Sequence, residues 1–161
     1  MIRLTLLILL VLGIVGAVWV WMRVAKVQRD SRYAMFQANS APSPLPDGFW
    51  PGTWAGGGTD WLGKEFDAAT QTGLNVFQAT PEPAKRIPFR MSVALSLKNE
   101  KQTVLLLDYN VEGNSPWIRL VRDEVVQVAP GKLLGLLYYK LGPIVIPVDF
   151  FEQQQGPTIE Q

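Results

Sequence analysis

Three carboxylates, Asp108, Asp123 and Glu124, lie inside segments that read as β-strands. Two carboxyl groups converging on one pocket are the least equipment for acid–base chemistry in a chain without histidine. Asp123 and Glu124 are neighbours, though, and a regular strand sends neighbours to opposite faces. Without a bulge they form no pair. Surface or cross-strand ion pairs are their expected use, with Arg122 sharing a face with Glu124 and Arg119 sharing one with Asp123. The chain has neither histidine nor cysteine. Disulfides, thiolate nucleophiles and cysteine-ligated zinc are therefore excluded, and so are the usual general base and the commonest haem ligand. Gly56-Gly57-Gly58-Thr59-Asp60 has the look of a phosphate loop but lacks the Gly-Lys-Ser/Thr ending, and Gly63-Lys64 is followed by Glu65, which suits no magnesium. A hairpin connection is the expected role of that stretch. No catalytic residue, metal or cofactor is expected.

The aromatic residues are the remaining candidates. Trp50, Gly52 and Trp54 share one strand face, with Trp61 and Trp117 elsewhere. Aromatics around a glycine can line an apolar ligand pocket. The competing use, a plain hydrophobic core, is favoured because each ring buries about 150–250 Å² and a domain this small needs the burial.

The elements that position these residues begin with an anchor. No residue from Leu4 to Met22 is charged, and as a helix these 19 residues span roughly 28 Å, close to the hydrocarbon thickness of a bilayer. The run ends in Trp19-Val20-Trp21-Met22-Arg23 and offers no Ala-x-Ala, so a retained transmembrane helix is expected over a cleaved signal. Trp19 and Trp21 fall where an aromatic belt belongs, and Gly13, Gly16 and Ala17 form a small-residue face fit for helix packing. Arg23, Lys26, Arg29 and Arg32 follow the span and can meet anionic headgroups. Against the single Arg3 before it, they favour a cytoplasmic C-terminal side.

Of the 15 Lys and Arg, five lie in residues 1–32 together with one of the 14 acids, so residues 33–161 hold ten basic against 13 acidic groups. A net acidic domain is a poor partner for nucleic acid. The helix is expected to continue through residues 23–37, making 1–37 one unit. The proline-rich stretch 38–46 is the linker, since each X-Pro forces extended geometry. Residues 47–152 form the β domain and 153–161 a loose tail.

Inside that domain the hydrophobic period drops to two. In Phe89–Leu97 every odd position is apolar, which marks a strand with one face inward. Thr103–Tyr109, Trp117–Ala129, Leu133–Lys140 and Ile144–Glu152 follow, separated by turn residues, and indicate an antiparallel meander. Gly48–Ala55 and Trp61–Phe66 read as strands upstream, with Leu74–Gln78 a further candidate. Seven or eight strands make either a small barrel or a strongly curved sheet. Pro147 places an edge or a bulge in the last strand. The fold class is thus mainly β, an antiparallel meander or small β-barrel behind one transmembrane helix.

Gly52-Thr53-Trp54 resembles the Gly-x-Trp that opens lipocalin-like barrels, and Gly52–Gly58 is similar to the opening of the nitrobindin group. The resemblance covers seven residues and implies a barrel. Nitrobindin-like proteins hold haem through a histidine, which this chain lacks, so haem does not carry over. Lipocalins also pack an Arg of their last strand over the Trp, and residues 144–152 contain no Arg.

Two functions fit this outline. The first is a non-catalytic accessory subunit of a larger membrane complex, with membrane lipids and other membrane-protein subunits as partners. The alternative is a membrane-tethered lipocalin-like barrel that binds an apolar or lipid-like ligand.

Overall fold

The computed structural model describes residues 2–54, 56 and 60–156. Eight strands follow one another around a closed barrel: β1 (Gly48–Trp54), β2 (Trp61–Asp67), β3 (Thr72–Phe77), β4 (Ala84–Leu95), β5 (Thr103–Asp108), β6 (Val121–Ala129), β7 (Lys132–Leu141) and β8 (Ile144–Gln154). Each pairs antiparallel with the next, and β8 closes on β1. Closure joins the two edge strands that an open meander would leave free. The closing seam is short. Only Gly52–Trp54 of β1 meets Phe151–Gln153 of β8, while β8 stays paired with β7 over its whole length.

Helix α1 (Ile2–Arg29) contains the one candidate span among the described residues, Leu4–Arg29, long and apolar enough to cross a membrane. From Leu4 to Trp19 it stands clear of the barrel, and Val20 and Arg23–Ala25 are the first partly covered residues. Val27 is buried. The helix does not run unbroken to residue 37 as expected. Asp30 adopts extended geometry, ψ 133°, and caps the N-terminus of a second short helix, α2 (Ser31–Gln37), by accepting the Arg32 N–H. The adjoining Arg32 guanidinium, which donates to the Asp30 carboxylate, holds its pKa down at about 2. Phe36 of α2 is fully buried against the outer face of β5–β8, where Val104, Val126, Leu134, Leu136, Tyr138 and Phe150 pack beneath it.

The sheet there is covered on both faces, which explains the unbroken apolar runs Val104–Leu107 and Leu133–Leu137. Alternation survives where one face meets solvent, but with a correction. Phe89 and Met91 point into the barrel, whereas Val93 and Leu95 are exposed. β3 ends its pairing with β4 at Arg90, so the end of β4 projects past its neighbour and its inner face is left uncovered. Residues 117–120, expected as strand, instead form a loop end and one 3-10 turn, Ile118–Leu120.

The proline-rich segment lies on the barrel rather than away from it. Ser40 bridges to Gln127, the Ala41 N–H donates to Thr103 O, and Ala41 and Leu45 pack on the interior core at the end where α2 lies. The expected tail starts later than residue 153: β8 runs through Gln154, and buried Gln153 donates to Trp50 O. Residues 157–161 lie outside the described residues. Pro147 does sit at a register shift, opposite Tyr138.

Two bulges decide what faces inward. β2 slips against β3 at Gly63, whose φ is +143°. An added Cβ there would stand 2.2 Å from Trp50 O and 2.9 Å from Pro51 Cα, both backbone atoms. The slip turns both Trp61 and Lys64, three positions apart, toward the interior. Gly63→Ala should cost about 2 kcal/mol or more, because neither the dihedral nor the backbone contact can yield cheaply. The denaturant midpoint should fall, with Trp61 fluorescence shifting as the ring leaves its place. The second bulge is at Ile87, a β-branched residue at φ +62°, whose side chain also reaches the interior.

Candidate functional site

At the end where β1, β3, β5 and β7 finish, the barrel holds a cavity of about 160 Å³. Trp54, Trp61, Phe77, Ile87, Leu137 and Phe151 supply much of an apolar wall, completed by Ile118, Val121 and Tyr139. Four polar side chains, Lys64, Asn75, Tyr109 and Asp123, also line it. Trp61 packs edge-on against Phe151 with ring centres 5.8 Å apart, and Phe89 does the same with Tyr109 at 5.5 Å.

The polar group is a closed network around one ammonium. Lys64 Nζ donates to Asn75 Oδ1 at 2.9 Å and to Tyr109 Oη at 2.6 Å, and pairs with Asp123 Oδ2 at 2.9 Å. Its three N–H groups are thereby all committed. The same nitrogen lies 4.8–5.4 Å from the ring centres of Phe151, Tyr109, Trp61 and Phe89, an aromatic surround that favours a cation. Tyr109 donates its hydroxyl proton to Asp123 Oδ2 at 2.8 Å and accepts from Asn75 Nδ2 at 3.2 Å. Asn75 Nδ2 also donates to Ile87 O, and Asn75 Oδ1 accepts from Trp61 Nε1 at 3.0 Å. Burial pulls the Lys64 pKa below its ordinary value, with the Asp123 charge opposing. Burial, reinforced by that same charge, pushes Tyr109 well above the phenol range, so it remains a proton donor.

Two polar atoms of the lining residues have no hydrogen-bond partner among the described residues: Asp123 Oδ1 and Trp54 Nε1, both buried. A buried carboxylate oxygen left unpaired is costly. One acceptor and one donor therefore stand uncommitted on residues that line the pocket, each with almost no accessible surface of its own.

Glu124 takes the opposite side of β6, as strand alternation requires. Neither it nor Asp123 makes the surface ion pair expected of it, for both are buried. Glu124 accepts from Ser96 Oγ at 2.9 Å and from the Leu97 N–H, fastening the β4–β5 turn. Burial raises its pKa, with those bonds opposing. Asp108 alone pairs near the surface, with Arg122 at 3.1 Å.

The aromatic candidates divide. Trp50 is buried in the interior core, Trp54 and Trp61 line the cavity, and Trp117 is a correction: it is 77% exposed on the β5–β6 connection. Gly52 gives Trp61 its room, since an added Cβ would lie 2.6 Å from the indole. Of the basic residues expected at headgroups, two are engaged by the barrel. Lys26 pairs with Asp149 at 3.1 Å, and Arg32 pairs with Asp30 and Glu152 and lies over the Phe150 ring. Arg23 lies over Trp19, and Arg29 is exposed. Around Gly13 and Gly16 an added Cβ would meet nothing within 4 Å, and Ala17 is exposed. Of the glycine run, Ala55 and 57–59 lie outside the described residues, while Gly56 sits against Asp149 and Trp54 Nε1.

Lys64, Asn75 and Tyr109 were absent from the sequence-based candidates. Lys64 had a signal, being a charged residue in the strand Trp61–Phe66, flanked by Trp61, Leu62 and Phe66. Asn75 and Tyr109 had none beyond strand membership. No family model matches this chain, and comparison with the curated proteins and with the solved structures gave no match.

Proposed function

We propose that this chain is a membrane-anchored binding protein, not an enzyme, whose barrel takes an apolar ligand bearing one hydroxyl or similar hydrogen-bond donor. The observation that carries this reading is the apolar cavity with Asp123 Oδ1 unpaired beside it. A dry engineered cavity of roughly 150 Å³ accepts a benzene ring, so a volume of about 160 Å³ suits a ring or a chain end rather than a whole lipid. A ligand donor reaching Asp123 would gain a charge-assisted hydrogen bond, worth about 1.5–3 kcal/mol. Lys64 is fully occupied and serves to hold the carboxylate in place. The likeness of the barrel to lipocalins in outline belongs to this same reading.

Toluene and p-cresol, titrated into the full chain in nanodiscs, test it. p-Cresol should bind at least about tenfold more tightly, the factor corresponding to 1.5 kcal/mol or more, and Leu137→Trp, which fills the cavity, should abolish both. Equal binding of the two probes would remove the role of Asp123; binding of neither would sink the pocket. The accessory-subunit reading retains one supporting observation, the open face around Gly13 and Gly16. Partners of fixed stoichiometry, brought down with the chain from mild detergent, would favour it instead.

A further inference from the structure

The direction in which α1 meets the barrel fixes which end of the barrel points at its anchor. Lys26 reaches Asp149, and Arg32, six residues on, reaches Glu152 and the Phe150 ring. Across the break at Asp30 the chain thus ascends alongside β8 in the strand's own direction, with α1 packed on β8. On that course the earlier residues of α1 extend toward the start of β8 and its turn from β7. That turn is at the cavity end, where Tyr139 and Leu137 line the pocket. The apolar run of α1 ends at Met22, and side chains first become covered by the barrel between Val20 and Ala25. No spacer separates the end of the span from the barrel's rim.

The rim at this end carries exposed apolar side chains. Trp117 on the β5–β6 connection is 77% exposed, and Leu141 and Ile144, flanking the β7–β8 turn, are 45% and 58% exposed. Large apolar side chains at the tips of loops, at the end of the barrel toward which the span leads, match the interfacial zone of a bilayer. Charge is not the attraction. Arg119 and Lys140 near these tips are offset by Glu112 and by Glu82 on the β3–β4 connection.

We propose that the barrel rests mouth-down on the bilayer, with Trp117 and the Leu141–Ile144 turn in the headgroup region, and that its ligand is a membrane-resident amphiphile passing between bilayer and cavity without crossing bulk water. This rests on α1 as a span and on the cavity as the binding site. It also accounts for the small cavity: only the ring or chain end of the amphiphile enters, and the remainder stays in the bilayer.

The chain contains no cysteine, so single-cysteine variants give unique labels. Trp117→Cys, Ile144→Cys, Val93→Cys and Val11→Cys, each carrying a nitrobenzoxadiazole probe, are to be placed in nanodiscs of zwitterionic phosphatidylcholine. Labels at 117 and 144 should be blue-shifted and quenched by nitroxide-bearing lipid, the label at 93 should remain aqueous, and the label at 11 should lie deepest. The pattern should survive high salt, since the contact is apolar. Aqueous labels at 117 and 144, or a membrane-bound label at 93, would overturn the orientation. A label at 11 in water would overturn the span on which it depends. The toluene and p-cresol titration is read separately, so loss of binding with labels 117 and 144 in lipid would reject the ligand and keep the orientation.

Discussion

Asp123→Ala should destabilise the barrel by about 3–5 kcal/mol, the ordinary cost of leaving one member of a buried ion pair without its partner. Lys64 would then be a fully enclosed ammonium with only Asn75 and Tyr109 as acceptors. Lys64→Met should cost a similar amount by stranding the carboxylate. Combining Lys64→Met with Asp123→Leu should recover more than half of either loss, because a well-packed apolar pair replaces an expensive charged one. Tyr109 and Trp61 keep Asn75 as a partner in the double variant. Urea midpoints of the four proteins give the double-mutant cycle, and a double variant as unstable as the singles would show that the ion pair is needed for the fold itself.

The same pair makes stability depend on alkaline pH in a definite direction. The folded pKa of Lys64 lies below its ordinary 10.5, so between the two values the unfolded chain binds more protons. Stability therefore rises with pH across that window. Tyr109 acts oppositely above pH 10, where the unfolded chain loses a phenolic proton that the folded one retains. A maximum on the alkaline side is expected, and the double variant should lose the rise while keeping the fall. p-Cresol should lose its advantage over toluene in that variant, which links the stability measurement to the site.

Phe36→Ala should have the second large effect, a loss of about 3–5 kcal/mol from an aromatic side chain with no exposure. Phe36 meets Phe150 edge-on at 6.1 Å and is the one fully buried residue of α2. Seven residues are too few to hold a helix alone, so α2 persists through this anchor and its Asp30 cap. Its carbonyl also accepts from Gln102 Nε2, joining α2 to the β4–β5 turn. Amide exchange should quicken first in α2 and at Ala41 and Gln127, where the proline-rich segment meets the barrel. A loss under about 1 kcal/mol would mean that the outer layer adds little to the closed sheet.

Much of the architecture follows from short-range pattern. The apolar run Leu4–Met22, the turn residues between strands and the proline in the last strand each have one dominant physical reading, and the structure has a long helix, eight strands and a shift opposite Tyr138. The site was less legible, for two reasons. Alternation assigns a face only while the register is regular, and the bulge at Gly63 breaks it at the point where Lys64 turns inward. The runs Val104–Leu107 and Leu133–Leu137 also do not alternate. Unbroken runs mean that both faces are covered, and strands paired with them bury whatever they carry. Applied to Asp123 and Glu124, which pair with Leu137 and Leu136, that argument would have placed both indoors. It also separates them correctly, one inside the barrel and one beneath its outer cover. Asn75 faces Lys64 across the β2–β3 hairpin, a register that the bulge at Gly63 hides from the pattern, and Tyr109, just past β5, meets them only through the closure of the barrel.

The short seam between β1 and β8 has a consequence for the order of assembly. Gln153 and Trp50, which meet beside it, are 103 residues apart, and Lys26 and Asp149 are 123 apart. Contacts between residues so distant in sequence form late, after the local hairpins from β2 to β7 have taken shape. Both depend on β8, the last strand of the barrel in chain order. Barrel closure and the packing of α1 on β8 therefore belong to one event. A nascent chain that stops before β8 has neither, although α2 and the proline-rich segment can already rest on β5 to β7.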